Sequence, residues 1–320
     1  MKWKILVTRD LPGNGIELLR QAGAAVEVYP EDQPILRSVL LESVKGADAI
    51  LSMLSDKINA EVMEAAGPQL KIVSNYAVGY DNIDLAEAKK RRIRVTNTPG
   101  VLTDATAELA WALLFSAARN VVAADKFVRD GEWGGWGPKQ FLGYQLTGKT
   151  LGVIGAGRIG TSFALKSSGF GMKVLYFARR ENDVLRDRLG AKLCDLETLL
   201  KTSDFISLHL PLTDETRYLL NRKRLNWLKP TAVLVNTARG PIIEEEALAE
   251  MLAEGRIGAA GLDVYENEPK VNPNLLALSN VVLLPHVGSG TFTARSTMAQ
   301  MTAKAILDCL SGLEPENAVV

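Results

Sequence analysis

The chain has 320 residues, enough for two domains with their own cores, and 47% apolar residues mark it as globular rather than disordered. Lysine plus arginine number 37 against 37 aspartate plus glutamate, with no long basic run, which argues against nucleic acid as a main partner. Only Cys194 and Cys309 are present, far apart, so neither a disulfide framework nor a structural metal site is expected.

The opening MKWKILVTRD carries only Ile5, Leu6 and Val7 before charge returns, too short a run for a signal peptide. Over the first hundred residues KILVT, AVEVY, DAIL, KIVS and IRVTN read as strands, with helical stretches such as GIELLRQAG and INAEVMEAAG between them. This alternation predicts a parallel sheet with helices on both faces. Pro99 and Gly100 then break the chain, and Thr103 or Asp104 can cap the next helix. That helix is apolar on nearly every side and is expected to be buried, between domains. Its apolar run LAWALLFSAA, bounded by Glu108 and Arg119, is about half a membrane span. A reducing, cytoplasmic setting is the simplest expectation. A Gly- and Trp-rich loop follows, GEWGGWGPKQFLGYQL.

At Lys149 the alternation restarts with TLGVIG, KVLYF, FISLHLP, AVLVNTA, GAAGLDV and VVLLP. Two such series predict an α/β protein of two Rossmann-like domains with parallel sheets. The remaining amphipathic segment TFTARSTMAQMTAKAILDCLSG cannot form a domain alone. It is expected to pack back on the first domain and make that domain discontinuous. The boundaries read as residues 1–99 plus 287–320 and residues 100–286.

Gly155-Ala-Gly157-Arg158-Ile159-Gly160 follows one of these strands directly and opens a helix that can run to about Ser168. That is the context a dinucleotide fingerprint requires. Gly155 makes the tight turn, Gly157 lets backbone approach a pyrophosphate, and Gly160 lets helix pack on strand. The helix N-terminus offers unpaired N–H groups to the phosphates. The fingerprint predicts an acid at the end of the next strand, to bind the adenosine ribose. VLYFARRE carries Arg179 and Arg180 there instead. Guanidinium forks match a ribose 2′-phosphate, so NADP(H) is the favoured cofactor, with NAD(H) as the alternative.

The chain has two histidines, His209 and His286, each at a strand end. Their companions differ. Arg239 follows a buried strand in NTARGP, and Glu266 and Glu268 lie in DVYENEP. Hydride transfer to a 2-keto acid needs a cation for the carboxylate, an acid for the new alkoxide, and a carboxylate to keep that acid charged. Arg239 and His286 fit the first two roles, and either glutamate fits the third.

With NYAVGYDNID, GAGRIG, NTARGPIIEEEAL, GLDVYENEP and PHVGS together, the chain resembles the D-isomer-specific 2-hydroxyacid dehydrogenases over almost its full length. The resemblance implies Arg239, Glu268 and His286 as the catalytic residues, and so selects Glu268 over Glu266. It implies a flavodoxin-like split substrate domain carrying both termini, an inserted dinucleotide-binding domain, and a site in the cleft between them. It further implies that the Val78 and Gly79 amides hold the substrate carboxylate beside Arg239, with Ser289 also on the substrate side. Thr106, Pro211, Thr237, Ala238, Asp263, His286 and Gly288 would lie near the cofactor, with Asp263 accepting from the nicotinamide carboxamide. Within the family the chain is most similar to glyoxylate/hydroxypyruvate reductases. There Trp136 would reach a neighbouring subunit's site, as substrate contact, dimer anchor or both, and Leu54 would narrow the pocket. The implied assembly is a homodimer with a small 2-keto or 2-hydroxy acid as substrate. A 2-ketogluconate reductase, a phosphite dehydrogenase and a nucleotide-sensing corepressor are the alternatives on this scaffold. The absence of the ribose-binding acid weighs against the corepressor.

Overall fold

Apolar runs of four or five residues, each ended by polar or turn-forming residues, are what a strand buried on both faces looks like in sequence. In the computed structural model, which describes residues 2–320, these runs form two parallel sheets. The chain divides into two compact units, one comprising the residues up to Leu102 together with Ser289–Val320, the other Thr103–Gly288.

The first unit holds β1 (Lys4–Val7), β2 (Ala25–Val28), β3 (Ala49–Ser52), β4 (Ile72–Asn75) and β5 (Arg94–Thr96), all parallel, in the order β2-β1-β3-β4-β5. This is the flavodoxin-like doubly wound order. β3 and β4, in the middle, are buried throughout, whereas β2, at the edge, alternates exposed and half-buried residues. The helix Phe292–Leu310 comes from the far end of the chain and packs on the helix Gly15–Gln21 and on β4. Tyr76 Oη donates to the Arg295 carbonyl at 2.6 Å, and Ser74 Oγ to that of Thr302 at 3.3 Å. The helices touch closely at Gly15, where a Cβ would lie 2.4 Å from the Ala299 carbonyl oxygen.

The second unit holds β6 (Thr150–Ile154), β7 (Lys173–Phe177), β8 (Lys192–Leu193), β9 (Phe205–Leu208), β10 (Val233–Asn236), β11 (Ala259–Leu262) and β12 (Val281–Leu283). Its order, β12-β11-β10-β9-β6-β7-β8, is the dinucleotide-fold order extended by one strand. The order reverses between β6 and β9, and in open α/β sheets ligands bind outside the carboxyl ends of the strands at such a point. The helix Thr103–Ala118 packs on β10, β11 and the helix Arg158–Leu165 of this same unit, and eight of its residues are buried. Asn120, at φ 53°, breaks it, and the helix Val121–Arg129 leaves at 65° with no residue buried. Among the described residues no single helix is long and apolar enough to cross a membrane.

Two local features differ from the sequence reading. The helix after the glycine loop stops at Leu165 and tightens into a 3₁₀ turn over Lys166–Phe170, because Ser167, Ser168 and Gly169 are weak helix formers. The two-residue strand β8 was not expected, since both its residues are exposed and leave no apolar signature.

The contact at Gly15 gives the fold a direct test. Gly15→Ala should destabilise the first unit by about 1–3 kcal/mol, the usual range for overpacking. A denaturant midpoint equal to that of the wild type would contradict the packing described.

Candidate active site

Three loops at the carboxyl ends of β10, β11 and β12 carry the residues with the most chemistry. The loop after β10 is set by Asn236, whose Nδ2 donates to the Arg239 carbonyl at 2.9 Å and whose Oδ1 accepts from the Ala238 amide at 3.0 Å. Arg239 Nη1 donates to the Ala238 carbonyl at 2.8 Å. The next residue must be glycine: a Cβ on Gly240 would lie 1.9 Å from the Tyr265 carbonyl carbon. That contact presses the arginine loop against Tyr265–Glu268.

Within Tyr265–Glu268 the two glutamates part company. Glu266 accepts from Tyr218 Oη, and its amide donates to Glu245 Oε2 at 2.8 Å. Glu268 turns the other way. Its Oε1 accepts from the Tyr265 amide at 3.0 Å, and its Oε2 lies 2.8 Å from His286 Nδ1. Burial works to raise the Glu268 carboxyl, but the His286 contact, the Tyr265 amide and the Arg239 charge outweigh it and hold the group below its ordinary value. His286 sits at φ 54°, a left-handed conformation that costs energy in a non-glycine residue and is found where the surroundings over-determine it. With Nδ1 on Glu268, Nε2 is the ring nitrogen left to meet a ligand.

Beside this pair, Asp263 Oδ1 accepts from the Val287 amide at 2.8 Å, while its Oδ2 is buried without a partner. Burial pushes this carboxyl up, against the Val287 and Gly288 amides and the His286 charge. A Cβ on Gly288 would fall 3.3 Å from Asp263 Oδ2 and 3.4 Å from Thr106 Cγ2, so these three residues meet. Thr237 Oγ1 is likewise buried and unpartnered. Buried polar atoms are normally satisfied, and one free acceptor with one free hydroxyl fit a carboxamide.

At the switch point, Gly155 takes φ 98° and Gly157 stands at the N-cap with no side-chain cap and open space where a Cβ would project. A Cβ on Gly160 would lie 1.9 Å from the Gly155 carbonyl oxygen, which is how closely helix and turn pack. The amides of Arg158, Ile159 and Gly160 open the helix and have no intrahelical acceptor. After β7, Arg179 and Arg180 are exposed, and the first carboxylate, Glu181, pairs with Arg186 at 3.5 Å. These residues fit a dinucleotide, and the two side chains that directly follow the strand end, Arg179 and Arg180, are cations that suit a ribose phosphate. Asn182 ties this loop to the glycine turn, donating to the Ala156 carbonyl at 3.0 Å and to Thr161 Oγ1 at 2.8 Å.

Pro211 is exposed after β9, its carbonyl accepting from Thr216 Oγ1 at 2.7 Å. Trp136 is 85% exposed. Leu54, after β3, Val78 and Gly79, after β4, and Ser289 belong to the first unit. His209 is packed against Phe163 and bonded through Nε2 to Ser207 Oγ at 2.9 Å, and burial pushes its pKa down to about 3. It is a neutral structural group. Sequence reasoning passed over Asn236 and Asn182, because asparagine beside a strand end also reads as an ordinary turn residue.

Residues 111–288 match the family described as "D-isomer specific 2-hydroxyacid dehydrogenase, NAD binding domain". A glyoxylate reductase of Thermococcus litoralis is 50% identical over 323 residues, covering 100% of this chain and 97% of that protein. A glyoxylate reductase of Paecilomyes thermophila, known as a crystal structure, superposes with a TM-score of 0.88 at 33% identity, covering 99% of this chain and 98% of that one. An NADPH-dependent glyoxylate/hydroxypyruvate reductase of Sinorhizobium meliloti, solved with NADP and malonate, has a TM-score of 0.86 at 31% identity, covering 100% and 97%.

The lowered Glu268 carboxyl has a signed consequence for stability. A carboxyl that holds its proton less tightly folded than unfolded favours folding above the unfolded carboxylate pKa, and this contribution is lost as the pH falls through the folded one. Wild type should therefore melt above Glu268→Gln near pH 7, and the gap should close as the pH falls through and below the carboxylate range. A gap independent of pH would sink the assignment.

Proposed function

Because the chain belongs to the D-isomer-specific 2-hydroxyacid dehydrogenase family, we propose that it reduces glyoxylate to glycolate, and hydroxypyruvate to D-glycerate, with NADPH as preferred donor. The observation that carries this reading is the 2.8 Å contact between Glu268 Oε2 and His286 Nδ1, with the Arg239 charge felt by the same carboxylate. The names of the relatives, glyoxylate reductase and NADPH-dependent glyoxylate/hydroxypyruvate reductase, support the substrate.

Arg239 takes the substrate carboxylate and polarises the carbonyl, together with the Val78 and Gly79 amides. Leu54, Trp136 and Ser289 bound the space for a small acid. A bound nicotinamide supplies the hydride that the carbonyl carbon receives. His286 gives the Nε2 proton to the carbonyl oxygen, so that hydride and proton together complete the alcohol. Glu268 fixes the ring through Nδ1. Gly155, Gly157, Arg158, Ile159 and Gly160 hold the pyrophosphate, and Arg179 and Arg180 a 2′-phosphate. Thr106, Pro211, Thr237, Ala238, Asp263, His286 and Gly288 hold the nicotinamide end. The unpartnered atoms of Asp263 and Thr237 support that part of the reading.

The same reading includes a homodimer in a reducing, cytoplasmic setting. Support comes from the apolar surface of Val121, Val122, Val128, Trp133 and Trp136, all exposed, and from two free cysteine thiols.

Two measurements test the proposal. At matched subsaturating concentrations, glyoxylate reduction should run about tenfold or more faster with NADPH than with NADH, since one charge-assisted contact of about 1.5–3 kcal/mol suffices. Equal rates would make Arg179 and Arg180 mere surface charges. His286→Ala should lower kcat by about 10²–10⁴, the usual range for losing a general acid. An undiminished kcat would remove His286 from the chemistry.

A further inference from the structure

The loop after β4, Tyr76–Tyr80, has an unusual distribution of hydrogen bonds. Three successive carbonyls are occupied. That of Ala77 accepts from the Thr98 amide at 2.9 Å, that of Val78 from Asn97 Nδ2 at 2.7 Å, and that of Gly79 from Asn75 Nδ2 at 2.8 Å. The amides of Val78, Gly79 and Tyr80 make no hydrogen bond among the described residues. In a trans peptide the N–H points opposite to the C=O of the same peptide unit. Each free amide therefore points away from the group that holds its carbonyl. Successive free amides are donors suited to an anion.

The groups that hold the carbonyls are themselves held. Asn75 is fully buried, with Oδ1 accepting from Ser52 Oγ at 3.0 Å. Its side chain pairs reciprocally with that of Asn82, at 3.0 and 3.2 Å. Asn82 Nδ2 also donates to the Met53 carbonyl at 3.1 Å and the Asp56 carbonyl at 3.0 Å. The loop that carries Leu54 and the loop that carries Val78 and Gly79 are thus cross-braced. Asn97 follows β5, and its carbonyl accepts from Asn317 Nδ2. Without these side chains the carbonyls of Val78 and Gly79 lose the donors that hold them, whereas that of Ala77 keeps the Thr98 amide.

We infer that Asn97 and Asn75 are positioning residues that orient the amides of Gly79 and Tyr80, respectively, toward the substrate carboxylate, beside the Val78 amide, whose peptide is held by the Thr98 amide. Tyr80 thereby becomes a third donor. The inference rests on the reading given under Proposed function, in which this loop takes the carboxylate. Neither asparagine touches the reacting atoms, so both act through substrate binding and not through the proton or hydride. Dinucleotide binding, assigned to residues of the other unit, should not depend on them.

The test uses Asn97→Ala and Asn97→Asp in the full chain. The aspartate keeps size and shape and cannot donate to the Val78 carbonyl, so it serves if the alanine variant fails to fold. Four quantities are read: KM for glyoxylate, kcat, the NADPH Kd, and the Kd for malonate by calorimetry on the NADPH-loaded protein. KM and the malonate Kd should both rise about tenfold, the loss of roughly one hydrogen bond's alignment, with kcat and the NADPH Kd within about twofold of wild type. Unchanged KM and malonate Kd would overturn the inference. So would a parallel loss of kcat, KM, NADPH affinity and melting temperature, the mark of a merely structural residue. If wild type binds malonate but does not reduce glyoxylate, the proposed substrate falls, and the malonate comparison alone decides the role of Asn97. If wild type binds no malonate and reduces no glyoxylate, both fall.

Discussion

A carboxylate taken partly out of water beside an imidazole is the interaction on which the second unit's site is organised. Left alone, burial would raise the Glu268 carboxyl. Two hydrogen-bonding contacts and one charge oppose this: the His286 ring at 2.8 Å, the Tyr265 amide at 3.0 Å, and the Arg239 charge. Each comes from a different stretch of chain, so the ionised carboxylate records the correct assembly of three strand ends. The same contact fixes which nitrogen of His286 is free, and it accompanies the strained left-handed backbone of that residue. Upstream, the arrangement depends on a missing side chain. Gly240 lies so close to the Tyr265 carbonyl carbon that no larger residue fits, and Asn236 shapes the turn that brings it there.

The fold class was legible because both sheets are parallel and buried. Runs such as AILS and VLVN are apolar on both faces, and the turns between them are rich in glycine, proline and asparagine. What escaped had no apolar signature. β8 is two exposed residues, and the break at Asn120 lies in a stretch whose composition favours helix on both sides. The glycine loop was readable because its three glycines have separate steric reasons, two of which are visible as contacts or a positive φ. Glu266 and Glu268 could not be told apart by composition, being two residues apart in one loop. Their surroundings separate them, since Tyr218 and Glu245 engage Glu266 whereas His286 engages Glu268. Asparagines 75, 82, 97 and 236 were overlooked for the opposite reason: their residue type is so common beside strand ends that only the hydrogen bonds reveal which backbone group each one holds.

Both units follow one physical pattern. A parallel sheet directs its carboxyl-end loops to one edge, and buried polar side chains there decide which backbone groups face inward. In the first unit the decision leaves three amides free, the chemistry of an anion site. In the second it leaves one carboxylate oxygen and one hydroxyl buried without partners, the chemistry of a site for a planar amide.

The helix Phe292–Leu310 carries a consequence for biosynthesis. It covers β4 and the helix Gly15–Gln21, yet more than two hundred residues separate it from both. As the chain leaves the ribosome, the opening strands emerge first but lack the element that shields them, whereas Thr103–Gly288 is contiguous and has all its strands once translated. The second unit therefore has its full complement of strands before the first can close. The nascent chain carries an uncovered apolar sheet face through most of translation, and this long-range closure sets its exposure to chaperones and to aggregation.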